Sequence, residues 1–582
     1  MKFIAPLMAL VVAGSSPQTG KDDVVLQAMK DELNRSMTRL HLDKYKGPYF
    51  ISYTIHQTET SGVTASFGSV DRSDRNIIRN LAVDVREGDY SLDSSEFSGG
   101  GFRGALGGMR GPSADITVDD NYDSIRHELW LNTDRTYKKA IEDLEGKKAF
   151  LQENTVKDRP DSMSKEKPVV SIGPIAHLEA DTTRDAAYAR KLSLIFREYP
   201  RIQKSLVSID QDADTTWFVN SEGFCHRTPK HQCVLVAMAT AQADDGMAIS
   251  DLQMFSGSTD KDLPSPPMVE KSIRDMAQRI TKLAAAKTTN EEYRGPILFE
   301  GQAAAEFVSQ ILQPQLRHSP APLDKNNPFS QMGKNPFEDK IGIKVLPSFI
   351  TIVDDPLTKK FGNTTIPSAY DIDDEGVRAQ KITLVDKGVL KTFCMSRAPT
   401  REIKQSNGHG VGGSGISRNL YVLSSAGVTP QELKTKLLQL GKDNGLKDVY
   451  IARRLWNFGT AALEPQMLFS SLFAGMSAGS EARLLPPVLL YKVSVADGKE
   501  ELVRGAQFSN LTMRVLRDIT ATGNDMAAYP MVSMNSIGFS HSAPVLSTVV
   551  TPSILVQEVE LQKSSKQTEL LPILKDPYFQ KK

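Results

Sequence analysis

The segment Arg294-Gly-Pro-Ile-Leu-Phe-Glu-Gly-Gln-Ala-Ala-Ala-Glu-Phe307 constrains this chain more than any other. A short apolar strand passes through Glu300 into a helix. Ala303, Ala304 and Ala305 let that helix approach a sheet closely, because nothing beyond Cβ holds the two apart. A carboxylate at a helix start is favoured by the macrodipole and can accept from free N–H groups, which gives Glu300 a structural role. Zinc requires lone-pair donors at about 2.0–2.3 Å. The side chains of Phe299 and Ala304, on either side of the junction, offer none.

At 582 residues the chain exceeds one hydrophobic core, so two or three domains are expected. Lys+Arg and Asp+Glu are both 70, so no basic excess argues for nucleic acid. Cys225, Cys233 and Cys394 are too few for a disulfide framework. At the N-terminus, Lys2, the apolar run Phe3 to Val12 and the small residues Ala13-Gly-Ser-Ser16 match a signal peptide over residues 1–16. Export to a periplasmic or other extracytoplasmic compartment is therefore expected, with a buried first helix as the alternative. The run is too short to span a bilayer, and no later segment offers about twenty uninterrupted apolar residues. No membrane span is expected in the mature form.

Periodicity sets the organisation. Helical spacing runs over Asp22 to Leu40, Asp123 to about Ala149, Thr182 to Phe196 and Met268 to Ala285. Phe50 to Val85 alternates like strands. Ser205 to Ala241 reads as a hairpin turning at Ser221-Glu-Gly223. Ser94 to Pro112 is a Gly-rich loop, and residues 152–168 are a charged, Pro-containing surface connection. Beyond about residue 290 strands dominate. Asp386-Lys-Gly388 predicts a three-residue hairpin loop, and Asp497-Gly498 a turn after Tyr491 to Val495. One helix there has full punctuation: Thr429 as N-cap, Pro430 at N1, Glu432 closing a capping box, and Asn444-Gly445 as the stop.

Several blocks together resemble the TldD/PmbA family. They are Gly295-Pro-Ile-Leu-Phe-Glu300, Asp371-Ile-Asp-Asp-Glu-Gly-Val-Arg-Ala-Gln380, the hairpin Leu384-Val-Asp-Lys-Gly-Val-Leu390, and Ser406-Asn-Gly-His409. The resemblance implies an α+β chain with an N-terminal α/β domain, residues 22–290, followed by a β-rich C-terminal domain, residues 291–582. It also implies a dimer, either a homodimer or a heterodimer with a metal-bearing homologue, that cleaves or trims peptides in an enclosed chamber. In catalytic members the junction reads His-Glu, three residues, then a second His. Phe299 stands at the first ligand position, Glu300 keeps the water-activating carboxylate, and Ala304 stands at the second. The family's third ligand, a Cys in a Gly-rich segment, has no counterpart in Met534-Asn-Ser-Ile-Gly-Phe-Ser-His-Ser-Ala543. His541 is either a substitute ligand or an exposed loop residue. Zinc belongs to the catalytic members, and no cofactor is predicted for this chain.

Three other clusters carry ligand or nucleophile chemistry. Cys225, His226, His231 and Cys233 fall on one strand, which allows zinc, a Cys225–Cys233 disulfide, or ordinary strand positions. Asp371, Asp373, Asp374 and Glu375 suggest calcium, but Ile382 occupies the twelfth position where an EF-hand needs Glu. A turn satisfied by its own Asp side chains and a substrate-facing role remain open. Gly475-Met-Ser-Ala-Gly479 fits a nucleophile-elbow pattern, with Ser477, Asp497 and His541 in triad order, but Pro486-Pro487 cuts short the helix it requires. The expected function is that of a non-catalytic partner or peptide-binding subunit of a peptidase complex. Glu300, Asp373, Asp374 and His409 are expected to line its chamber. The rivals are an active metallopeptidase with ligands relocated to His541 or His409, and an interaction protein without a peptide chamber.

Overall fold

The computed structural model describes residues 23–42, 44–97, 113–154, 159–289, 291–320, 323, 335–456, 484–532, 546–564 and 570. The expected signal peptide (residues 1–16), the Gly-rich run 98–112, Gly475–Gly479 with Ser477, and the segment holding His541 lie outside them.

The alternating segments form long antiparallel ribbons. Phe50–Ser66 pairs with Ser69–Arg86 on one side and Ile202–Asn220 on the other, and the last pairs with Cys225–Gln242. These strands are the centre of a seven-stranded sheet. One face is covered by helices. Val24–Arg39 and Tyr122–Glu153 pack Leu26, Met29, Ile125 and Leu129 on Ile51, Tyr53 and Ile55. Thr182–Leu194 and Pro266–Ala285 pack Leu192, Ile273 and Ile280 on Val63, Val207 and Leu235. Between these two patches the same face carries Gln57, which accepts from Arg79, and Glu59, paired with Arg75 at 3.5 Å. Period-2 alternation turns a second row to the other face: His56, Thr58, Thr60 and Gly62, beside Asp214, Asp212 and Asp210 of the neighbouring strand.

Lys287–Thr288 already belongs to another sheet, so the chain changes layers directly after the helix ending at Ala285. This nine-stranded sheet has Tyr293–Phe299 near its middle, between Ile554–Lys563 and Asp448–Leu455. A six-stranded sheet built on Ile350–Asp354 and Asn419–Ser424 faces it. The core between them holds Ile297, Phe299, Phe307, Ile352, Leu420 and Val549. Leu298 points the other way, under helix Pro430–Asp443 with Leu433 and Leu437. Among the described residues no helix is long and apolar enough to cross a membrane.

Two local expectations are corrected. Lys387-Gly388 is a two-residue turn, not a three-residue loop: Asp386 pairs with Val389, and both turn residues take positive φ, 46° and 81°. Two left-handed residues match the twist of a tight hairpin, and Gly388 has no room for a side chain because a Cβ would meet Leu346 O at 2.2 Å. The connection 152–168 is not all surface, since Ser162, Met163 and Ser164 are buried. Ser164 N–H donates to Arg397 O at 2.7 Å, which draws the connection onto the C-terminal region.

Candidate functional site

The strand-to-helix junction is built as a packing unit. Glu300 N–H extends the sheet to Ala452 O at 2.9 Å. Gly301 turns the chain at φ 56° and starts helix Gln302–Phe307. Phe299 is fully buried and stacks on Phe307, with ring centroids 4.7 Å apart. Ala303, Ala304 and Ala305 are fully buried in the same core. Hydrocarbon therefore fills both positions at which the resemblance would place ligands.

Glu300 does not cap the helix, contrary to the structural role expected from sequence. Its carboxylate leaves the helix axis and accepts from Arg453 Nε at 2.7 Å. Arg453 also reaches Glu500 at 2.9 Å, and Glu500 pairs with Lys434 at 2.6 Å. Sequence reasoning passed over Glu306, the fully buried acid of this helix. It accepts from Gln302 Nε2 at 3.0 Å and Leu455 N–H at 2.5 Å, tying helix to sheet. An Ala-rich helix with one Glu gives no sequence signal that the acid points inward.

Glu300 and Gly301 open onto a cleft of about 200 Å³, completed by Pro430, Leu433, Asp525 and Ser553. Ser553 Oγ accepts from Gly301 N–H at 3.1 Å and donates to Asp525 at 2.6 Å. Tyr529 OH lies 3.3 Å from where a Cβ on Gly301 would sit. Tyr529 belongs to Ala527–Val532, which among the described residues is hydrogen-bonded on one edge only.

The acidic turn is a fastener. Asp373 is buried and accepts from the N–H groups of Glu375, Val377 and Gly410 at 3.0, 2.8 and 2.7 Å. Burial, with Glu375 alongside, still pushes its carboxyl well above the usual range. This is the turn satisfied by its own Asp side chain. His409, expected to line a chamber, is fully buried instead, as is its partner Asp354 at 3.1 Å. Cys394, also fully buried, lies beside them.

Asp374 of the same turn remains partly open. It pairs with Arg418 at 3.1 Å. Its charge reaches His226 and Lys230 on the polar face of the N-terminal sheet, so the two regions share a polar boundary. Burial lowers His226 to about 4. On that face burial, reinforced by Asp214 and Asp210, pushes Asp212 up to about 7. The ordinary aspartate value is about 4, so the folded state holds the extra proton between about pH 4 and 7 and loses stability as pH rises through that window. Asp212→Asn is expected to match the parent below pH 4 and to exceed it by about 2 kcal/mol above pH 7, a figure reduced for partial exposure. Urea denaturation at pH 4 and pH 8 measures this, and an equal effect at both would contradict it.

The Cys-His strand holds no metal grouping among the described residues. Cys225 and Cys233 are both free and buried, so the disulfide alternative is withdrawn. They sit eight residues apart on one extended strand, far beyond bonding reach.

Residues 292–441 match the model of the PmbA/TldA metallopeptidase C-terminal domain. A metalloprotease of Archaeoglobus fulgidus is 34% identical over 90 residues, 16% of this chain and 19% of its own length. One from Methanothermobacter thermautotrophicus is 25% identical over 198 residues, 32% of this chain and 38% of its own length. The chain thus spans less than two-fifths of these relatives. In three dimensions it resembles a putative modulator of a DNA gyrase from Thermotoga maritima, with TM-score 0.57, 16% identity, and coverage of 92% and 99% of the two chains. It also resembles TldE from Thermococcus kodakarensis, with TM-score 0.53, 13% identity, and coverage of 92% and 99%. At these identities the structural likeness shows the fold alone.

Proposed function

Because this chain belongs to the TldD/PmbA family, we propose that it is a non-catalytic, peptide-binding subunit of a peptidase assembly, exported from the cytoplasm by its leader. The observation that carries this reading is the core at the junction. Phe299 and Ala304 are fully buried in hydrocarbon, so the retained Glu300 has no metal-bound water to activate. Glu300 pairs with Arg453 instead. A metal-bearing homologue would supply the chemistry, in a heterodimer rather than a homodimer.

Among the described residues one edge of Ala527–Val532 carries no strand, Tyr529 of this strand lies close to Gly301 of the Glu300 cleft, and that edge can accept a peptide as an added strand, main chain to main chain. Peptide addition is expected to slow amide exchange in 527–532, and unchanged exchange there would exclude this mode. Glu300→Gln removes an ion pair that is partly open to solvent. It is expected to change stability by less than about 1 kcal/mol while weakening peptide binding several-fold, read by denaturation and calorimetry. The decisive experiment compares peptide hydrolysis by the chain alone and after co-expression with a homologue carrying an intact His-Glu-xxx-His motif. Activity only in the pair supports the proposal. Metal-dependent hydrolysis by the chain alone would overturn it in favour of relocated ligands. No peptide affinity in either state would leave an interaction protein.

A further inference from the structure

We propose that Asp354, Cys394 and His409 form a structural zinc site, separate from the junction of Phe299 and Ala304 and independent of whether the chain binds peptides. The three residues come from three segments: the end of strand Ile350–Asp354, the stretch after hairpin 382–390, and the loop following Asn407. Each is fully buried. Their donor atoms all lie within 4.8 Å of one another.

The argument turns on where the histidine proton sits. His409 Nδ1 is 3.0 Å from both Asn407 O and Asn407 Oδ1. A backbone carbonyl only accepts. Asn407 Oδ1 also accepts from Met395 N–H at 2.8 Å, while Asn407 Nδ2 donates to Phe393 O at 2.7 Å, which fixes the amide orientation. Nδ1 must therefore carry the hydrogen. In a neutral ring Nε2 then turns its lone pair on Asp354 Oδ1, 3.1 Å away. Two lone-pair atoms at that distance need a positive charge between or beside them. A proton meets that need but gives the adjacent thiol no part. A borderline-soft divalent ion uses all three groups.

The surroundings match a metal centre. A ligating His characteristically donates its other N–H to a carbonyl, and a ligating carboxylate is itself hydrogen-bonded. Asp354 Oδ2 accepts from Ser417 Oγ, as such a carboxylate should. Ligands about 2.0 Å from tetrahedral zinc stand roughly 3.3 Å apart, close to the observed nitrogen–oxygen spacing. Charge balances as well: one carboxylate and one thiolate neutralise a divalent ion, leaving no net buried charge. On loading, the Cys394 S–H bond breaks as sulfur bonds zinc, and its proton passes to solvent. Any proton bridging His409 Nε2 and Asp354 Oδ1 in the metal-free site leaves with it. Three protein ligands leave a fourth position for a solvent oxygen. With every ligand sealed from bulk water, the ion pins three segments together rather than meeting a substrate.

The test uses the full-length chain, purified without chelator from zinc-supplemented cells. Elemental analysis is expected to find about one zinc per chain, falling at least tenfold in Cys394→Ser with an unchanged circular dichroism spectrum. Cobalt(II) exchanged into the parent should show tetrahedral d–d bands and a thiolate charge-transfer band. A metal-free parent, or zinc fully retained in Cys394→Ser, overturns the proposal. Should that variant not fold, the cobalt spectrum of the parent decides: a sulfur charge-transfer band supports the site and its absence overturns it. Hydrolysis is not read, so the outcome is separate from that of the peptidase-partner proposal.

Discussion

Introducing two histidines, Phe299→His together with Ala304→His, is expected to destabilise the protein by about 5 kcal/mol or more and to confer no hydrolysis. Three costs combine. Replacing the Phe299 ring takes away fully buried aromatic surface stacked on Phe307 at 4.7 Å, and truncations of buried Phe cost about 3–5 kcal/mol. A ring at Ala304 must be forced into a site with no exposure, at about 1–3 kcal/mol. Each new imidazole also needs partners for its nitrogens, and an unsatisfied buried polar group costs about 1–3 kcal/mol. The two positions share one core, so the effects will not simply add. Urea denaturation with elemental analysis reads the outcome. A double variant that stays within about 1 kcal/mol of the parent and takes up a metal at the junction would show that the site is dormant rather than converted to packing.

Arg397→Ala should be the most damaging single change at the boundary between the N-terminal sheet and the C-terminal region. The guanidinium is buried and holds Glu222 in a two-point pair at 2.5 and 2.8 Å, while Nη2 also donates to Ser164 O at 2.6 Å. Tyr90 OH completes Glu222 at 2.6 Å. Phe50 and Phe224 lie 5.4 and 5.7 Å from the guanidinium carbon. Breaking a buried pair by removing one partner costs about 3–5 kcal/mol, because the other charge stays behind. In a double-mutant cycle with Glu222→Ala the coupling is expected to exceed about 1.5 kcal/mol. The single variant should also broaden unfolding into two steps as the two regions lose their tie. A sharp single transition within about 0.5 kcal/mol of the parent would remove Arg397 from this role.

Local rules carried far in this chain. The helix after Thr429 appears with its capping box, Pro430 at N1 and Gly445 at φ 67°. The stripe Ile125, Leu129, Tyr137, Ile141 and Leu144 is buried along helix Tyr122–Glu153 as its spacing predicts. These features depend on residues a turn or two apart, so their physics is contained in short stretches. The 152–168 connection shows the limit. Its charge and Pro content mark a loop, but Ser164 is buried because Arg397, more than two hundred residues away, reaches it.

Propensity, period and ligand chemistry belong to each residue and its near neighbours, so the helices, the long ribbons and the lack of metal donors at Phe299 and Ala304 are legible along the chain. Where the polar groups went depends on packing between distant segments. It sent Glu300 to Arg453 instead of the helix end, drew Glu306 inward to Leu455, and sealed His409 against Asp354 beside Cys394. Partners for a charged or polar side chain arrive from anywhere along the chain, and burial decides which of them it must have.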